Sequence, residues 1–192
     1  SRLSPDPDYE IRFFDSPSDL HAAIKAKSAV EESRLSRVVA SYDWNYESQK
    51  RPESSKYWGV KIGDWFLPWN YETECELSKK ERRAISKLAW AEQPHTIDEV
   101  GSTFTIQGFD LSYVGVILGP SVKYIDGEIV FDPEESKNDK ATQNRTLSDG
   151  KKASFGKTFI RNEIKVLMSR GVKGLYIYAC DPALRKALKE CR

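Results

Sequence analysis

The chain has 192 residues, 39% of them apolar and 31% charged, enough for one substantial core and ordinary for a globular domain. A formal net charge of +1 gives no whole-molecule attraction for nucleic acid or a membrane surface, so a polyanion site has to be a local patch. No apolar stretch approaches the roughly 18 residues of a membrane span and the start "SRLSPDPDYE" lacks a signal-peptide apolar region, which predicts a soluble, cytoplasmic protein.

In chain order, "YEIRFF" (9–14) reads as a strand. A helix follows it, with Ser16 as N-cap, Pro17 at its first position and Asp19 closing a capping box. "SRVVASYDW" (36–44) is a second strand, 45–56 a polar loop, and "YWGVKIGDWFLPWN" a hairpin turning near Gly63-Asp64. "SKKERRAISKLAWAE" reads as a capped helix with Ile85, Leu88 and Ala89 on its inner face. Two apolar strands are expected at 102–106 and 114–118. The second, apolar on both faces, belongs at the centre of a parallel sheet.

Residues 120–150 form an acidic, hairpin-bearing insertion, with a mobile loop expected over 132–153. Phe155, Phe159, Glu163, Ile164, Leu167 and Met168 then fall at helical spacing, ended by Gly171. The strand "GLYIYAC" and a helix capped by Asp181 with Pro182 at its first position complete the chain. Repeated strand, crossover, strand order predicts a single α/β domain over 9–190, a three-layer sandwich with a mainly parallel sheet, behind a flexible leader at 1–8.

"SDGKKASFGKTFI" (148–160) imitates a phosphate-binding P-loop and fails on two counts. Five residues separate Gly150 from Gly156 where the motif needs four, and the preceding "KNDKATQNRTL" offers no buried strand to deliver the loop. Cys75, Cys180 and Cys191 and the two histidines are scattered, which predicts reduced thiols and no zinc cluster. Charge is concentrated in one place: between Lys151 and Gly174 seven basic residues face the single acid Glu163. Lys157, Arg161 and Lys165 recur every four residues, a stripe that is either a solvated helix face or a phosphate-contacting one. Tyr42, Trp44, Trp58, Trp65 and Trp69 read either as a small core around the hairpin or as a base-stacking platform, and Asp43 as a site residue or a turn carboxylate.

Two segments stand out. "STFTIQGFDLSYVGVILG" sets the polar turn Gln107-Gly108-Phe109-Asp110 between the two expected strands, where open α/β sheets place ligand groups, and "VLMSRGVKGLYIYACD" sets Arg170 and Lys173 at a helix end feeding a strand. Together they resemble motifs V and VI of superfamily 1 helicases: Thr105, Gln107, Gly108, Asp110, Leu111 and Val114 fit the first, and "VLMSRG" the second, with Ser169 where Thr is commoner. With "RVVASYDW" and "IGDWFLPWN" in the same order, residues 9–190 resemble the C-terminal half of the bacterial Schlafen group 3-like DNA/RNA helicase family, that is, its second RecA-like domain.

The resemblance implies that Arg170 reaches the γ-phosphate as an arginine finger, that Gln107, Gly108 and Asp110 meet the nucleotide, and that Thr103 and Thr105 lie near the nucleic-acid backbone. Lys157, Arg161, Lys165 and Lys173 are the basic candidates for phosphate contact. Its first half, with the P-loop and the magnesium-binding acids, is not in this sequence, and the only methionine is Met168, so a longer parent is expected. The implied cofactor is ATP with magnesium in that parent, with none bound tightly here, and the implied partners are an N-terminal P-loop domain of the same chain and single-stranded DNA or RNA. A non-catalytic nucleic-acid-binding or regulatory module, and an NTP-driven switch without unwinding, are the alternatives.

Overall fold

The structure is a computed structural model and describes residues 8–47, 50–143, 145–146 and 152–191. The expected leader, except for Asp8, lies outside the described residues, as do Gly150, Lys151 and part of the 132–153 loop.

Five parallel strands form the central sheet: β1 (Glu10–Phe13), β2 (Arg37–Ala40), β5 (Val100–Gly101), β6 (Leu111–Leu118) and β11 (Gly171–Ala179). Their spatial order is β1-β11-β6-β2-β5. β6 is central, as its two-sided apolar sequence requires. α1 (Pro17–Ser28) covers one face by burying Leu20 and Ile24, and α4 (Gly156–Met168) and α5 (Pro182–Glu190) cover the other through Ile160, Ile164, Leu167 and Leu184. The protein is therefore an α/β three-layer sandwich of the RecA-like type.

Local chemistry explains the helix ends. Ser16 Oγ accepts from Asp19 N at 3.0 Å, which forms one half of the expected capping box, and Asp181 Oδ1 accepts from Leu184 N at 2.7 Å. The hairpin pairs β3 (Gly59–Ile62) with β4 (Trp65–Pro68) and turns at Gly63, as expected. A second hairpin, β7 (Val122–Ile125) with β8 (Glu128–Phe131), fills the insertion. α3 (Asp139–Thr142) follows it, and β9 (Arg145–Thr146) pairs with β10 (Lys152–Ala153).

Two expectations fail. α2 (Lys79–Ile85) stops early, so Leu88 is exposed and Trp90 is buried in its place. The reason is polar: Trp90 Nε1 donates at 2.8 Å to the buried carboxylate of Glu99, which also accepts from Tyr71 N and Thr73 N, and a continuing helix would carry the indole away from it. The strand expected at 102–106 is instead the two residues Val100–Gly101. Thr105 Oγ1 accepts from Ser102 N at 2.9 Å and donates to Ser102 O, which closes the chain into a turn as soon as it leaves the sheet.

Candidate functional site

The turn after β5 is held by the Ser102–Thr105 bonds and anchored by Ile106, which is fully buried. Gly108 adopts φ 74°, a left-handed conformation that leaves its backbone uncovered by any Cβ. Leu111 N donates to Arg170 O at 2.8 Å, so the start of β6 is clamped to the residue that follows α4. The Arg170 side chain is committed at two points: Nε donates to Val166 O at 3.1 Å, and Nη1 donates to Asp110 Oδ1 at 3.4 Å. Its Nη2 has no partner among the described residues. Thr103, Phe104, Gln107, Gly108, Val166 and Arg170 line an open cavity of about 370 Å³.

Of the residues singled out in the sequence, Thr103, Gln107, Gly108, Asp110 and Arg170 thus come together. Their location differs from the one expected. The turn feeds the amino end of β6, beside the amino end of β11, rather than leaving the carboxyl end of a strand, because residues 102–106 turn back under the sheet instead of extending it. Thr105 borders this group, with its hydroxyl taken up inside the turn. Lys157, Arg161 and Lys165 are all exposed along α4 and make no ion pair among the described residues. Lys173 stands apart, donating to Glu32 O at 2.7 Å.

The carboxyl ends of the strands hold a second polar group. The chain leaves β2 toward β5 and leaves β6 toward β11, so the sheet's topological switch lies between β2 and β6. There Asp43 is buried, its Oδ2 accepting from Ser41 Oγ at 3.0 Å and Ser121 N at 2.9 Å, while Oδ1 has no partner among the described residues. Gly119 is required beside it, since a Cβ at this position would stand 2.3 Å from Asp43 Oδ2. Glu163, on α4, accepts from Tyr42 N at 3.1 Å. Burial, reinforced by the charge of Asp43, pushes the Glu163 carboxyl up to about 8, and burial also raises Asp43 and drives the Cys180 thiol up to about 12.

From the sequence, Asp43 reads equally as a site residue or a turn carboxylate, and Glu163 only as part of a helix face. The available signal was a carboxylate three residues beyond a buried strand. The aromatic cluster divides: Trp69 is fully buried in the core, whereas Trp44 and Trp58 are only partly covered.

The sheet order and its flanking helices define an α/β domain of the RecA-like type. The sequence profile of the family described as "Schlafen group 3, DNA/RNA helicase domain" matches residues 1–181, and the chain belongs to that family. It is 35% identical over 182 residues to the yeast (Saccharomyces cerevisiae) "Uncharacterized protein YPL245W", an alignment covering 94% of this chain and 36% of the relative. The chain thus spans about a third of that relative's length. No solved structure matches it significantly. Among the described residues, no helix is long and apolar enough to cross a membrane.

Proposed function

We propose that this chain is the second motor domain of an ATP-dependent DNA or RNA helicase or translocase, contributing Arg170 across a domain cleft to a nucleotide held by a P-loop domain of the same parent. The observation that carries the reading is the Arg170–Asp110 contact at 3.4 Å, which joins the two helicase-like segments beside Gln107 and Gly108 at one open cavity. An arginine finger needs a guanidinium that is oriented yet keeps donors in reserve. Arg170 meets both needs, its Nε fixed on the last turn of α4 and its Nη2 uncommitted among the described residues.

The residues fit a nucleotide's phosphate end. Gly108 offers open backbone, Gln107 an exposed amide and Arg170 the charge. ATP with magnesium would supply the phosphoryl group and the metal that screens it, with the metal held by the partnering domain, while this chain binds and orients. The exposed row Lys157, Arg161 and Lys165 runs along α4 toward Ser169 and Arg170 and fits a phosphate backbone passing the same edge. Steady-state ATP turnover by the intact protein, with and without single-stranded nucleic acid and for Arg170→Ala, is the test. Loss of turnover with the fold retained supports the reading, and undiminished turnover removes it.

A further inference from the structure

The outer face of the β3–β4 hairpin carries an arrangement that the motor role leaves unused. The register pairs Gly59 with Pro68 and Lys61 with Phe66. Val60, Ile62, Trp65 and Leu67 pack into the core, so strand alternation puts Gly59, Lys61, Phe66 and Pro68 together on the opposite face. Phe66 is 38% exposed, and its ring lies across Gly59: a Cβ there would come within 2.4 Å of ring atoms Cε2 and Cζ. A large aromatic ring is thereby held in place at the surface with little left to order on binding.

Trp44, Tyr57 and Trp58 join Gly59, Lys61 and Phe66 around an open cavity of about 450 Å³, within the size range of small-ligand sites. Both indole N–H groups are spent on backbone. Trp44 Nε1 donates to Lys61 O at 3.1 Å, and Trp58 Nε1 donates to Lys50 O at 2.8 Å and Glu47 O at 3.1 Å. The rings are therefore fixed, and what they offer a ligand is their faces. Trp58 and Phe66 both line the cavity.

Charge narrows the occupant. Lys50 is matched by Glu47, Arg51 by Glu72 and Lys56 by Glu76, whereas Lys61, which lines the cavity with Asp64, makes no ion pair among the described residues. Fixed aromatic faces beside a lysine that makes no ion pair among the described residues suit a planar base carrying a phosphate. A proline-rich peptide, the other common guest of aromatic grooves, also needs donors for its carbonyls, and the two indoles have none to spare.

We infer that this cavity is a stacking site for a base of single-stranded nucleic acid, with Lys61 taking the adjacent phosphate. The inference rests on the nucleic-acid part of the proposed function. It also connects to the Arg170 cavity, because Trp44, Trp69, Tyr42 and Phe104 form a row with successive ring centroids 6.3, 5.5 and 5.6 Å apart, and Phe104 lines that cavity.

The test uses the intact protein, a labelled oligothymidylate and an abasic strand of the same length and charge. The abasic strand should bind several-fold more weakly. Phe66→Ala should weaken oligothymidylate binding roughly 5- to 150-fold, the loss of one stacked base, and leave abasic binding unchanged, with Phe66→Tyr restoring it. Lys61→Ala should reduce the salt slope by about 0.7. Equal affinity for the two strands, or oligothymidylate binding indifferent to Phe66→Ala, overturns the stacking site while Arg170-dependent ATP turnover still stands or falls separately. Binding of a proline-rich peptide in competition with the strand, or no strand binding at all, overturns it too.

Discussion

Arg170 and Asp110, sixty positions apart, meet at 3.4 Å, and the asymmetry of the pair is informative: the arginine side chain is 24% exposed and the aspartate 66%. A pair open to solvent contributes little to stability. Asp110→Ala should therefore shift the urea midpoint by no more than about 1 kcal/mol equivalent, because α4 still holds the arginine through Val166 O. A larger loss would make the pair structural.

Glu163 gives the fold a pH dependence with a definite sign. Its carboxyl is raised from 4.5 to about 8, so the folded state binds a proton that the unfolded chain has released. The stability this confers is full below pH 4.5 and is lost as pH rises through 8. Glu163→Gln keeps an oxygen to accept from Tyr42 N and carries no charge. Compared with the parent by urea denaturation, it should be more stable at pH 9 by roughly 2–4 kcal/mol, with the difference shrinking toward pH 5. A constant difference across that range would show that Glu163 ionises freely.

Gly119 tests the packing at the same end of the sheet. Adding a methyl in Gly119→Ala drives a Cβ toward Asp43 Oδ2 and Ser41 Oγ, both already hydrogen-bonded, and should cost about 1–3 kcal/mol in denaturant unfolding. An unchanged midpoint would mean that the Asp43 loop yields without cost.

α1 and α5 are legible because cap and proline chemistry is local, and β6 because an apolar run with no polar face has one place to go. The turn at 107–110 and Arg170 stand out in the sequence only through their resemblance to helicase motifs, and the structure brings Asp110 and Arg170 into contact. Their position at the amino ends of the strands was not legible, since the Ser102–Thr105 bonds end β5 after two residues. Glu99 and the Asp43–Glu163 neighbourhood were hidden for a different reason: their partners are distant in sequence, Tyr42 N and Glu163 being 121 residues apart.

The α4 stripe predicts a salt response. If Lys157, Arg161 and Lys165 neutralise two or three phosphates of a single strand, log K against log salt for the intact protein should lose roughly 1.4–2 from its slope when all three become alanine. An unaltered slope assigns them to the solvated surface. On the same reading this chain alone should not hydrolyse ATP, and Lys157→Ala should leave turnover in the parent unchanged. Hydrolysis by the isolated chain that Lys157→Ala abolishes would show the 150–158 stretch to be a phosphate loop.

The most direct test is ATP turnover by the intact protein carrying Arg170→Ala, with circular dichroism as the control for folding. Removal of an arginine finger should lower turnover by roughly 10³-fold or more while the spectrum stays unchanged. Turnover equal to that of the parent, from a protein that is fully folded, would contradict the assignment of Arg170 and with it the motor role.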